Sequence, residues 1–184
     1  MIETYTEFLK SISEYLIKGI FISILLIIFI KLISKKKIET VLSTKIVKWV
    51  IIIYSFGVLI NTILMFIIPP TEKYAFLERA TGPYWWAYWL MLSMNSIIPL
   101  ILLNNKIGRN IYFLLIISLL MNIGGLFESF VVHITSLHKD FITKDYNPYL
   151  PNNREFHIIL NGFVLGIILI VIENIINKRQ KTEY

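Results

Sequence analysis

Cysteine is absent from all 184 residues. Disulfides, cysteine-ligated iron–sulfur clusters and thiol nucleophiles are therefore excluded within this chain. Charge is sparse as well, with 16% of residues charged against about 25% in a soluble domain. No glycine-rich phosphate loop, His-Glu-x-x-His pattern or Gly-x-Ser-x-Gly elbow occurs, which removes the commonest signatures of nucleotide, zinc-protease and serine-hydrolase chemistry. Histidine is limited to His133, His138 and His157, whose separations follow no metal-ligand spacing. Their plain reading is structural or solvent-facing, and the functional one is proton relay at a membrane surface.

What is abundant is apolar surface. Hydrophobic residues make up 56% of the chain and the mean hydropathy is +0.68, far more than a water-soluble core of this size needs. A hydrocarbon layer of about 30 Å takes roughly 20 apolar residues per helix. Five segments qualify: Tyr15 to Ile33, Ile46 to Ile68, Pro83 to Leu103, Ile111 to His133 and Ile158 to Ile176. The expected fold is an all-α polytopic membrane protein, with residues 1–184 forming one transmembrane domain of about five helices.

The boundaries have local causes. Pro69-Pro70 closes the second span, since neither residue can continue a helix. Thr81 can cap the third span, and Pro83 fits its first helical position. Tyr84, Trp85, Trp86, Tyr88 and Trp89 follow at headgroup depth, where rings bearing one polar atom are stable. The short link Asn104 to Asn110 makes spans three and four antiparallel neighbours. The first run is preceded by Glu3, Glu7 and Glu14 and followed by Ser34-Lys35-Lys36-Lys37, so it reads as a permanent anchor and not as a cleaved leader. The amphipathic lead with Tyr5, Phe8, Ile12 and Tyr15 is expected on the outer membrane surface.

Charge placement orients the chain. Lys35, Lys36, Lys37, Lys45, Lys48, Lys106, Arg109, Lys178, Arg179 and Lys181 fall on one side of a five-span layout. The other side holds Lys10, Lys18, Lys73, Arg79, Lys139, Lys144 and Arg154, most of them beside a carboxylate. The first side is expected to be cytoplasmic and the N-terminus outside, in a bacterial inner membrane. The net charge of +6 then reflects this bias, and nucleic acid need not be invoked as a partner.

A few polar groups fall at membrane depth. Glu128 lies in the fourth span, where an ionisable group is costly unless paired, protonated or hydrated. It either snorkels to the interface or pairs with Arg79, or it carries a proton or bonds a quinone-type ligand from a partly dry site. His133 lies five residues on, about 140° around the helix, so the two do not share a face. Ser118, Asn122, Gly125 and Ser129 form a small polar stripe whose meaning is close helix packing or a proton path. Asn161 and Gly162-Phe163-Val164-Leu165-Gly166 give a second close-approach surface. Asn61-Thr62 and Asn95-Ser96, with Pro99 a turn later, offer further contacts near mid-bilayer.

These residues also carry a family resemblance. The stretch from Arg79 to Phe141 includes Thr81-Gly82-Pro83-Tyr84-Trp85-Trp86-Ala87-Tyr88-Trp89, Asn95, Pro99 and Asn122-Ile123-Gly124-Gly125-Leu126-Phe127-Glu128-Ser129-Phe130, then Thr135-Ser136-Leu137-His138-Lys139-Asp140. It resembles the C-terminal half of the NrfD/PsrC (polysulfide reductase membrane subunit) family. It is most similar to the quinol-oxidising membrane subunit of alternative complex III in Bacteroidota. Such subunits are built as two four-helix bundles: the first holds the quinone beside an iron–sulfur partner, and the second is proposed to take part in proton movement. The resemblance implies that this chain is the second, antiparallel four-helix bundle with one helix before it. Ser129 stands where relatives carry arginine, and Asn61 stands in a region where they often carry glutamate.

The resemblance therefore implies a non-autonomous membrane subunit, or a split or shortened half-subunit, of a quinol-oxidising electron-transfer complex of the respiratory chain. Its partners would be iron–sulfur and haem subunits and a second chain supplying the missing N-terminal bundle. Menaquinol or another quinone would be the substrate of the complex, with no cofactor bound within this chain. Glu128 is carried over as the proton-transfer candidate, together with the Thr135 to Asp140 segment that holds His138 and Asp140, and His133 is a further candidate site residue. The alternative is a non-catalytic membrane scaffold without a redox role. A small transporter or channel is a third class, for which the sequence defines no substrate.

Overall fold

The computed structural model describes residues 2–34, 40–68, 80–82, 85–138 and 153–182, with side chains at 4–34, 40–68, 80–82, 85–124, 126–127, 130–131 and 156–179. All regular elements among the described residues are helical. In chain order they are α1 (Ile2–Ile12), a π-helical turn (Ser13–Ile17), α2 (Lys18–Ile33), α3 (Val41–Ile67) and α4 (Trp85–Leu92). A second π-helical turn (Ser93–Ile97), a 3-10 segment (Ile98–Leu103), α5 (Asn105–Gly108), α6 (Ile111–His138) and α7 (Asn153–Thr182) follow. Four helical stretches are long and apolar enough to cross a membrane: Thr4–Ile33, Val41–Ile67, Trp85–Leu103 and Phe156–Arg179. The 28-residue α6 carries a shorter apolar stretch, Ile111–Gly124.

The first long helix and α3 each bury one largely apolar face and leave many apolar side chains outside. Ile17, Ile20, Ile24 and Ile27 recur at helical spacing and are at most 3% exposed. They join Val47, Ile51 and Ile52 of α3, Leu114 and Ile117 of α6 and Leu169 of α7 in one core. By contrast Phe29, Leu32, Ile53, Ile63, Leu126 and Ile167 are more than half exposed, an apolar exterior suited to lipid.

The N-terminal lead is continuous with the first long helix and does not lie apart on a membrane surface. Tyr5 donates its hydroxyl to the Gly57 carbonyl at 3.1 Å, and Thr6 donates to Asn61 Oδ1 at 3.0 Å. Leu9 closes over Gly57, where a Cβ would stand 3.0 Å from Leu9 Cδ2. These three contacts dock α1 on α3 and override the amphipathic pattern that a surface helix would share.

Pro99 explains the irregular third span. It has no N–H to give the carbonyl of Asn95 four residues back, and its ring would crowd that carbonyl. The helix loosens into a π turn and then tightens into 3-10 geometry around it. Side chains reinforce the disturbed turns: Ser93 donates to Trp89 O at 2.7 Å, Asn95 to Met91 O at 3.0 Å and Ser96 to Leu92 O at 2.7 Å.

The polar link folds by capping. Asn104 Oδ1 accepts from Lys106 N and Asn110 Oδ1 accepts from Tyr112 N, each at 3.0 Å, so α5 and α6 both start on an asparagine cap. The helical stretch Trp85–Leu103 and α6 run antiparallel: Trp86 meets Phe127 with ring centroids 5.7 Å apart, while Met94 and Asn95 flank Gly124. α4 begins at Trp85, whose N–H donates to Gly82 O at 3.0 Å, and Pro83 lies outside the described residues. Trp89 stacks on Phe66 at 6.1 Å and donates its indole N–H to Ala80 O at 3.1 Å.

Candidate functional site

Three asparagines from three helical segments converge on one cavity. Asn61 of α3, Asn95 of the π turn after α4 and Asn122 of α6 all line a space of about 450 Å³. Thr6, Lys10, Ser13, Glu14 and Lys18 enter it from the first helix, and Tyr54 from α3. Met91, Leu92 and Met121 supply much of the apolar wall. Two of the three amides sit beside helical irregularities or glycine: Asn95 lies in the π turn set by Pro99, and Gly124 on α6 lets that turn approach.

The hydrogen bonds decide what the amides offer. The amide N–H groups of Asn95 and Asn122 donate to the carbonyls of Met91 and Ser118, four residues back on their own helices, at 3.0 and 2.9 Å. Asn61 Oδ1 accepts from Thr6, and its Nδ2 contacts Met65 Sδ at 4.0 Å. Asn95 and Asn122 therefore keep a carbonyl oxygen each for an outside donor. Such a pair can accept from a hydroxyl group or from water, beside the carboxyl of Glu14 and the ammonium groups of Lys10 and Lys18.

The site residues expected from the sequence stand on or beyond α6. Glu128, His133 and His138 belong to its unbroken backbone, so all three are helical. Their side chains, together with Asp140 and Arg79, lie outside the described residues. In the polar stripe, Ser118 is 1% exposed and donates to Leu115 O at 2.9 Å, which makes it a packing residue. Asn122 lines the cavity. The side chain of Ser129 lies outside the described residues. His157 is exposed on α7, with its ring 6.2 Å from Phe156.

The close-approach surface on α7 finds its partner within the chain. A Cβ on Gly162 would stand 2.6 Å from Gly19 O, so the backbones of α7 and α2 touch there. Ser23 donates to Gly162 O at 2.7 Å, with Gly19 O at 3.1 Å, tying the two helices at the same level. Gly166, a turn further on, faces the Leu26 side chain, with a Cβ there 2.8 Å from Leu26 Cδ2 and 3.3 Å from Ser23 Cα. The matching surface on α2, Gly19-x-x-x-Ser23, went unnoticed in the sequence although it has the same small-residue spacing.

Sequence reasoning also missed Glu173. Its residue is 2% exposed, in the apolar run Ile170-Val171-Ile172-Glu173-Asn174-Ile175-Ile176. The carboxylate accepts from the backbone N–H of Leu42 at 3.1 Å and of Ser43 at 2.9 Å, and from the Ser43 hydroxyl. Leu42 and Ser43 are the second and third residues of α3, whose own preceding residue, Thr40, makes no side-chain cap. Glu173 thus caps a helix 131 residues away in sequence, where the free N–H groups and the helix dipole both favour an anion. The available signal was a lone acid inside a span, which by default marks a functional or structural partner.

Comparison with protein families, with curated proteins and with solved structures found no match.

Proposed function

We propose that this chain is a membrane subunit, or one half of a split subunit, of a quinol-oxidising respiratory complex. The observation that carries the reading is the convergence of Asn61, Asn95 and Asn122 on one cavity. Two of these amides, Asn95 and Asn122, lie in the stretch that resembles the NrfD/PsrC family, and that stretch forms the antiparallel pair of α4 and α6. A cavity with acceptor oxygens beside a carboxyl and two ammonium groups suits a ligand or water that donates hydroxyl protons.

In this reading quinol is oxidised together with partner subunits, and electrons pass to iron–sulfur and haem centres held by them. This chain contributes helix packing, hydrogen-bond acceptors and, at Glu128, a proton-holding group. It crosses a bacterial inner membrane five times, α6 included, with four of the helices as an antiparallel bundle, the N-terminus outside and the C-terminus in the cytoplasm. The test is purification of the native complex through a tag after Tyr184, followed by mass spectrometry and haem spectra. Co-isolation of multihaem and iron–sulfur subunits, with a second chain bearing the other bundle, supports the proposal. Recovery of the chain alone or as a homo-oligomer overturns it.

The second reading is a scaffold that kept the bundle and lost redox duty. Asn61 favours it, because the amide there is engaged with Thr6 in a packing contact where relatives often carry a charge. On that reading Glu128→Gln leaves quinol-dependent electron transfer of the purified complex unchanged, whereas the first reading expects it to fall by about tenfold or more.

A further inference from the structure

The opposite end of the helices carries a cavity of about 880 Å³, formed where α2, α3, α5 and α6 meet. Lys31, Lys45, Lys48 and Arg109 line it, and no Asp or Glu does so among the described residues. Lysines gather at the cytoplasmic side of any membrane protein, so their number alone means little. Lys48 differs from a surface lysine because it is only 7% exposed.

The direct partners of Lys48 are neutral. Its ammonium donates to Asn105 Oδ1 at 3.2 Å and sits 5.8 Å from the centroid of the Trp49 ring. Its stem crosses Gly108, where a Cβ would stand 2.8 Å from Lys48 Cε and 2.9 Å from Cδ. The missing side chain at Gly108 is what admits the stem. Glu173, the buried carboxylate near the start of α3, has both oxygens engaged by Leu42 and Ser43. With a neutral hydrogen-bond partner and other cations lining the same cavity, the Lys48 ammonium is placed to receive an anion.

We infer that this cavity binds a phosphate-bearing anion, supplied by the headgroup of an anionic phospholipid. Arg109 can grip a phosphate through two N–H groups while Lys48, Lys45 and Lys31 surround it. The rim points to lipid rather than to a free ion: Val41, Trp49 and Tyr112 line the same cavity and are 75%, 47% and 59% exposed. An apolar and aromatic rim beside a basic interior matches acyl chain and headgroup in one molecule. The inference uses the membrane character of the helices alone and stands apart from the quinol reading.

The test is native mass spectrometry of the full chain in neutral detergent, with phosphatidylglycerol and phosphatidylcholine of the same acyl chains in competition. Wild type is expected to retain phosphatidylglycerol at least about fivefold better, and Lys48→Met with Arg109→Gln to bring the preference below about twofold. Lys106→Gln removes a charge from the same link without lining the cavity, and is expected to keep the wild-type preference. Equal retention of both lipids by wild type overturns the inference, as does an equal loss in Lys106→Gln. Displacement of phosphatidylglycerol by millimolar inorganic phosphate also overturns it, in favour of a soluble oxyanion. Should the double variant fail to fold, Arg109→Gln alone decides, because Arg109 is exposed and an unchanged preference there refutes the site.

Discussion

The seam between α2 and α7 and the pair formed by α4 and α6 both use glycine, but to opposite effect. At the seam, Gly162 lies against the backbone of Gly19, and Ser23 and Glu173 bond to main-chain groups of neighbouring helices. In the pair, Gly124 lies against the side chains of Met94 and Asn95, and Trp86 leans on Phe127. A Cβ at Gly162 would meet a main-chain oxygen at 2.6 Å, whereas one at Gly124 would meet nothing nearer than Met94 Cβ at 3.1 Å. The seam is therefore the more tightly packed of the two contacts. The pair, beside which two of the three cavity amides lie, is the looser contact.

The comparison is broken most directly at Glu173. Glu173→Ala leaves the first N–H groups of α3 unpaired in a buried site and is expected to cost about 3 kcal/mol in reversible unfolding in mixed micelles. A loss under about 0.5 kcal/mol would show that α3 caps itself in another way. Next comes Gly162→Ala. Overpacking against Gly19 O costs about 1–3 kcal/mol, of which roughly 1 kcal/mol returns through better helix propensity. The same assay should show a net loss, with α2 and α7 separating first in hydrogen exchange.

Smaller effects sharpen the contrast. Ser23→Ala removes a buried interhelical hydrogen bond and should cost about 0.6 kcal/mol, the usual worth of such a bond between membrane helices. Gly124→Ala should be neutral within about 0.5 kcal/mol or slightly stabilising, because Met94 Cβ at 3.1 Å asks for only a small shift while alanine favours the helix. Equal losses in Gly124→Ala and Gly162→Ala would erase the distinction between the two regions.

Much of this could be read from the sequence, and the residues show why. The all-helical class, the places of the apolar runs and the close-approach role of Gly162 and Gly166 follow from hydropathy and spacing within single segments. The lead to the first span is not legible in the same way, because its amphipathic pattern suits both a membrane surface and the flank of α3. Tyr5 and Thr6 find acceptors on Gly57 and Asn61, more than fifty residues away. The convergence of Asn61, Asn95 and Asn122 was equally hidden, since each amide has the same local spacing whether or not the others face it.

The sequence by itself determined that most of this chain is apolar helix, because each helix satisfies its own backbone hydrogen bonds and partitions into lipid by its own composition. Only the tertiary structure decided that Gly162 rests on Gly19, that Glu173 caps α3 and that three asparagines share a cavity. Those outcomes depend on the rotation and depth of helices relative to one another. That geometry is set by which small residues let two backbones approach and which polar groups must find partners out of water.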